Sequence, residues 1–221
     1  MAKYQSERYK QVYNQFISQF YDIGLKIGLT PVGESILRTS VFLNLAPFIQ
    51  RKDRVLDLCC GTGTLPILLA KLLYKDCEII GVDLSSGQIA RAREKNRYPN
   101  LEFKVMDANR LKFSNEYFDH VIISAALHEM EKEQRLNVLS EVYRVLKSGG
   151  TFLIFEHHEP TKSSLRLFYN FYLGFIEKLT SHSFEMQRNI LKELKISGFK
   201  PLKQIPIKKF LSVFQIILLK K

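Results

Sequence analysis

Residues Val55 to Leu65 read V-L-D-L-C-C-G-T-G-T-L: an apolar strand carrying Asp57, a turn with Gly61 and Gly63, and then the apolar run Leu65 to Ala70. This is the strand, tight loop and helix order by which α/β proteins bring a nucleotide-like ligand against bare backbone. Gly61 and Gly63 lack a Cβ, so they can take positive φ and leave room at the main chain. Asp57 offers a carboxylate to ammonium or N–H donors, and Thr62 a hydroxyl between the glycines. The third glycine of a dinucleotide fingerprint is missing, its place taken by Pro66, and no Gly-Lys-Ser/Thr triplet follows. Pyrophosphate binding is therefore disfavoured.

A second segment sharpens the first. Glu78 to Asp83 reads as the next strand and ends in an acidic residue twenty positions after Gly63. A carboxylate there can accept hydrogen bonds from both hydroxyls of a ribose. An adenosine site without a pyrophosphate site points to S-adenosylmethionine.

At these residues the chain resembles the class I S-adenosylmethionine-dependent methyltransferases. The loop D-L-C-C-G-T-G, the strand end G-V-D-L-S, Asp107-Ala108, the strand F-D-H-V-I-I-S-A-A and the turn Y-R-V-L-K-S-G-G-T-F-L-I-F-E fall in that family's order. Within the class the chain is most similar to the ubiquinone/menaquinone biosynthesis C-methyltransferases, through Tyr21-Asp22, the segment from Tyr143 to Pro160 and a late G-F-K-P-L-x-x-I. The resemblance spans roughly Tyr21 to Lys221. It implies that Gly61, Thr62 and Gly63 line the methionine part of the cofactor, with Asp57, Cys59 and Leu84 also among the cofactor-binding residues. It places Asp83 at the ribose, Asp107 and Ala108 at the adenine, and Ser124 closing the site from the fourth strand; Met106 is read either as packing on the adenine face or as filling the core. The quinone enzymes carry Leu-Arg-Asn-Val after that strand, where this chain has Ala126-Leu127-His128-Glu129-Met130. Both that segment and a shorter stretch before the last helix would touch the acceptor, so the substrate does not carry over.

Methyl transfer from a sulfonium asks little of a protein beyond holding the acceptor in line. A base is needed only where the acceptor carries a proton. Two clusters offer one: His128-Glu129 after the fourth strand, and Glu156-His157-His158-Glu159 after the fifth. His128 and His157 are the catalytic candidates, because imidazole titrates near neutral pH. A metal site is not expected, since these residues match no established ligand spacing.

The elements that must position these groups alternate along the chain. Strands are expected near 54–59, 77–83, 101–106, 118–124 and 150–156, with helices near 34–44, 65–75, 86–96 and 132–146. Such alternation implies a parallel sheet with right-handed crossovers. Ser148-Gly149-Gly150 reads as a glycine turn closing the helix before it. A helix near 184–197 precedes strands near 199–206 and 210–219, close enough to pair as a hairpin, so one strand opposes the rest. The expected fold is an α/β, seven-stranded Rossmann-like methyltransferase sheet, mostly parallel, with an antiparallel last strand and helices on both faces. It forms one domain: a helical cap over 1–50, a cofactor-binding core over 51–159, and a lid segment with the last helix and strands over 160–221. Tyr9, Val12, Tyr13, Phe16, Ile17 and Phe20 predict an amphipathic helix over 4–20. Phe168, Tyr169, Phe171, Tyr172 and Phe175 make an aromatic segment over 165–179, read as a lid over an apolar acceptor, as a membrane-surface contact or as a core helix, the first favoured by its place after the fifth strand.

Composition narrows the class. A chain of 221 residues with 46% hydrophobic and 25% charged residues suits one large α/β core. Cys59, Cys60 and Cys77 lack a metal spacing, and reduced thiols in a cytoplasm are the expected state. No signal peptide and no apolar run of about 18 residues is present. The net charge is +11, of which +9 falls in residues 160–221, where 12 Lys and Arg face 3 Asp and Glu. That basic quarter allows peripheral contact with an anionic membrane surface. The expected activity is methyl transfer to a small apolar or aromatic acceptor, a lipid quinone being the leading version. An RNA or protein methyltransferase ranks second, since no base-stacking module or Asn-Pro-Pro-Tyr-like motif is present. A cofactor-binding regulator without turnover and a dehydrogenase rank lower.

Overall fold

The computed structural model describes residues 34–158, 183–207 and 214–221. The expected helix over 4–20 and the aromatic segment over 165–179 lie outside them. Seven strands form one sheet: β1 (Arg54–Leu58), β2 (Glu78–Asp83), β3 (Leu101–Val105), β4 (Phe118–Ser124), β5 (Leu146–His157), β6 (Lys200–Pro206) and β7 (Phe214–Lys220). The strand order is β3-β2-β1-β4-β5-β7-β6. β1 to β5 pair in parallel, whereas β7 runs antiparallel to both neighbours, β5 and β6. The short link between β6 and β7 imposes that reversal, since parallel pairing needs a long crossover.

Among the described residues five α-helices flank the sheet: α1 (Glu34–Leu45), α2 (Thr64–Leu72), α3 (Ser86–Lys95), α4 (Lys132–Val145) and α5 (Ser183–Ile196). Side chains alternate along β1, so Val55 and Leu56 serve opposite cores. One core joins Val55, Ile79 and Phe103 to Leu37 and Val41 of α1, Leu65 and Leu69 of α2, and Ile89 and Ala92 of α3. The other joins Leu56, Ile80 and Phe152 to Val138, Leu139 and Val142 of α4 and to Met186, Ile190 and Leu194 of α5. The four-residue spacing on α5 puts all three of its core residues on one stripe. Arg135 of α4 is fully buried between these helices, with Nε and Nη2 donating to Glu193 at 2.9 and 2.8 Å. Its Nη1 donates to the Met130 carbonyl at 2.6 Å. No helix among the described residues is long and apolar enough to cross a membrane.

The glycine turn at Ser148-Gly149-Gly150 differs from the sequence expectation. α4 ends at Val145 with its cap at Leu146 already extended, and β5 begins there. Phe118 pairs with Leu146 but His120 pairs with Thr151, so the residues between bulge out of the ladder. Gly149, at φ 75°, sits in that bulge, and its N–H donates to the Lys221 carbonyl at 3.3 Å. Glycine is used here for a strand irregularity rather than a helix cap.

Candidate functional site

β1 and β4 are neighbours, yet the helix after β1 packs into one core and the helix after β4 into the other. Loops leaving the two strand ends diverge, and a crevice opens between them, the usual ligand position in sheets of this type. Its walls are Cys59 after β1; Val82, Asp83 and Leu84 at β2; Met106 to Asn109 after β3; and Ala126, Glu129, Met130 and Gln134 after β4. Of the residues named from sequence, Cys59, Asp83, Leu84, Met106, Asp107 and Ala108 are brought together here. Gly61, Thr62 and Gly63 build the turn behind it, and Ser124 is half-buried at the end of β4.

The turn is held by a carboxylate. Asp83, 2% exposed, accepts the Gly61 N–H on Oδ2 and the Ser85 N–H on Oδ1, both at 2.9 Å. Burial pushes its acid above the ordinary range, and those N–H groups offset only part of the rise. Ser85 caps α3, its hydroxyl accepting the Gln88 N–H at 3.2 Å. Gly63, at φ 77°, occupies the N-cap of α2 with no side chain to cap it.

Asp57 is the outlier of the site. It is 1% exposed and neither carboxylate oxygen has a hydrogen-bond partner among the described residues. Burial raises its acid to about 8; Arg38 opposes the rise and the Asp83 charge adds to it. A buried carboxylate without donors is costly, so the position is stable either protonated or with a cation beside it.

Of the four non-glycine residues at positive φ among the described residues, two directly follow strands that border the crevice: Cys59 at 58° after β1 and Ala125 at 50° after β4. Such strain concentrates where surrounding structure dictates the backbone. Burial, then the charges of Asp83 and Asp57, raises the Cys59 thiol well above its ordinary range; the same groups raise Cys60. Both therefore stay protonated and poorly nucleophilic.

At the far wall the two expected histidine clusters form one. His128, in the short turn Leu127–Glu129, places Nδ1 2.8 Å from Oε1 of Glu156 on β5. Glu156, 1% exposed, also accepts the Leu127 and His157 N–H groups, both at 2.9 Å. Burial alone would raise this acid, but His128, its hydrogen bond and His157 bring it down to about 2. The His157 ring stands edge-on to His128 at 4.5 Å and stacks on Phe214 at 4.9 Å. Burial, then the His128 charge, lowers His157 to about 4. His128, Glu156 and His157 each offer a ligand atom within 4.8 Å of the others, a grouping the sequence spacing did not suggest.

Sequence reasoning missed Asn109 and Gln134, and named Glu129 and Glu156 only as members of the two polar clusters. Glu156 was visible only as one of four polar residues after β5; its burial follows from the pairing of β5 with β4 and β7. Asn109 donates from both its backbone N–H and Nδ2 to Asp107 Oδ1, at 2.9 Å each, which fixes the turn after β3. An Asp-x-Asn step of this kind is a readable turn signal.

A family model described as a methyltransferase domain matches residues 55–150. A demethylmenaquinone methyltransferase of Oceanobacillus iheyensis is 33% identical over 131 residues, covering 58% of this chain and 54% of that protein. One from Lactobacillus johnsonii is 36% identical over 123 residues, covering 54% of this chain and 50% of that protein. The chain thus spans about half the length of these curated relatives. A solved structure of an S-adenosylmethionine-dependent methyltransferase from Methanosarcina mazei superimposes with a TM-score of 0.66 at 22% identity, over 80% of this chain and 96% of that one. The fold is the Rossmann-like methyltransferase fold.

Proposed function

We propose that the chain is a class I S-adenosylmethionine-dependent methyltransferase, a reading its methyltransferase-domain match over residues 55–150 and its fold support, and that it transfers the methyl group to a small apolar or aromatic acceptor, a lipid quinone being the leading version. The observation that carries the cofactor assignment is Asp57, a buried carboxylate with no donor of its own at the start of the glycine turn. The α-ammonium of the cofactor is a partner of the right charge for it. Asp83 lies at the next strand end, its two oxygens turned to the Gly61 and Ser85 N–H groups, with lone pairs left to receive a ribose. Met106, Asp107 and Ala108 would flank the adenine, and Leu84 and Cys59 the sides of the crevice. The donor set fits the cofactor, which when bound supplies an activated methyl group.

The chain's own contribution is placement. Asp83 holds the turn and the ribose together, and the turns after β1 and β4 fix the width of the crevice. The acceptor assignment is supported by the demethylmenaquinone methyltransferase relatives, each matched over about half its length. Calorimetry with S-adenosylhomocysteine on the native protein and on Asp83→Ala tests the cofactor reading: binding by the native protein and its loss in the variant are expected. Absence of heat with the native protein would refute it. A radiolabelled-methyl screen of lipid and polar extracts tests the acceptor, with label expected in the lipid fraction.

A further inference from the structure

We infer that Glu156 and His128 work as a positioned carboxylate–imidazole pair that takes a proton from the acceptor, so that the acceptor bears an acidic hydroxyl, a phenol or an enol. The inference rests on the methyltransferase reading above. It deepens it by naming the acceptor's chemistry.

Three observations carry it. The carboxylate is immobile: it is buried at 1% exposure and tied to the Leu127 and His157 N–H groups as well as to His128. A carboxylate so placed is an acceptor only, and it fixes Nδ1 of His128 as the donor, which leaves Nε2 with the ring's lone pair. The His128 turn is itself part of the crevice wall, with Ala126 before it and Glu129 and Met130 after it lining the space. His128 keeps 14% of its side chain exposed, where Glu156 keeps 1%. His157 packs between His128 and Phe214, edge-on to the one and stacked on the other, and acts as a spacer that holds the imidazole upright.

A buried carboxylate is expensive, and amine or thiolate acceptors need no such base. A hydroxyl acceptor does. The proton passes from the hydroxyl to Nε2 of His128; the electron pair released on oxygen, or on the ring carbon conjugated with it, forms the new bond to the methyl carbon. The methyl–sulfur bond breaks with its pair retained on sulfur, leaving the thioether product, and Nε2 later returns its proton to water. Glu156 is a positioning residue here, acting through His128. The charged groups around the turn are Glu129 within it, Glu156 and His157 on β5, and the Arg135, Glu185 and Glu193 cluster on the helices behind.

The test uses the full chain in three arms. Long-range proton–nitrogen spectra are expected to show His128 as the Nδ1–H tautomer in the native protein, and to lose that preference in Glu156→Gln. His128→Asn is expected to bind S-adenosylhomocysteine within about threefold of native while its transfer of radiolabelled methyl into the extract falls at least 100-fold, the lower end of what a general base supplies. Should Glu156→Gln fail to fold, His128→Asn, which leaves the carboxylate and its backbone partners in place, still decides. The inference is overturned if His128→Asn labels product at the native rate across pH 6 to 9, or if native His128 is the Nε2–H tautomer. Stoichiometric retention of zinc by the native protein, lost in His128→Asn, would overturn it in favour of a metal site. If the native protein fails to bind S-adenosylhomocysteine, the methyltransferase reading is what fails, and the tautomer arm still reports on the pair.

Discussion

Gly63 lies directly beneath the ring of Phe103: a Cβ built on Gly63 would fall 2.5 Å from Cζ of that ring. Gly81 on β2 faces the same ring at 2.7 Å. The second glycine of the turn is thus kept bare by core packing as well as by its positive φ, and the room it leaves is taken by an aromatic side chain. Gly63→Ala is expected to cost about 2–4 kcal/mol, from left-handed strain plus overpacking. Adding Phe103→Leu should recover the overpacking share and leave the strain. Urea unfolding of the four members of the cycle measures this, and strictly additive losses would clear Phe103 as the obstacle.

Cys59 is a non-glycine residue held at a φ of 58°. Cys59→Gly removes a left-handed side chain at the loss of some packing against the core. A net gain of up to about 1 kcal/mol in unfolding free energy is expected. A clear loss would show that the thiol's packing outweighs the backbone strain.

Asp57 predicts an alkaline weakness. Its folded acid sits near 8 and its unfolded value near 3.8, so the folded state holds a proton that the unfolded chain gives up. The stability it contributes is fully present below about pH 4 and is lost as pH rises through 8. Asp57→Asn keeps the neutral shape and should flatten that dependence, making the variant the more stable protein at pH 8.5 relative to its standing at pH 5. Thermal midpoints taken at both pH values decide the matter.

His157 predicts the opposite slope. Its folded value near 4 lies below its unfolded value near 6.5, so its contribution is present above pH 6.5 and lost as pH falls toward 4. Between pH 4 and 6.5 it and Asp57 oppose one another. His157→Gln should lower stability at every pH through the lost stacking on Phe214, yet lose less on acidification from pH 6.5 to 4.5 than the native protein does. Parallel curves for the two proteins would sink this assignment.

Arg135 links the helical core to the crevice, because the group that binds Glu193 also holds the Met130 carbonyl in the crevice wall. Removing Glu193 leaves the fully buried Arg135 with only the half-exposed Glu185 at 3.4 Å to face it, so Glu193→Gln is expected to cost about 3–5 kcal/mol. Replacing both, with Arg135→Met and Glu193→Leu, should cost much less than the sum. The double variant should nevertheless bind S-adenosylhomocysteine more weakly, since Met130 loses its anchor; unchanged affinity would show that the wall holds without it.

Much of this architecture could be read from local pattern. Alternation of apolar strands and amphipathic helices follows from periods of 2 and 3.6 residues, which neighbouring side chains alone impose. The turn at Gly61 to Gly63, Asp83 at the next strand end and the late hairpin are short-range signals of this kind, and the structure has all of them in place. Ser148-Gly149-Gly150 was misread for an instructive reason. Glycine reports that a backbone leaves the ordinary φ range, and a strand bulge and a helix cap ask for the same freedom.

What the chain's order alone determined was the sheet, its strand directions and a crevice beside Asp83, because each depends on residues within one or two elements. Tertiary structure alone decided which polar groups are paired. His128 and Glu156 are 28 positions apart, and only the parallel pairing of β4 with β5 brings their strand ends together. The same pairing, with β7 closing the other side, buries Glu156 so that it must accept hydrogen bonds, whereas Asp57, on β1 between β2 and β4, is buried with no hydrogen-bond partner among the described residues. Burial and donor count are properties of a residue's neighbours in space, and those are set by long-range register that no local spacing encodes.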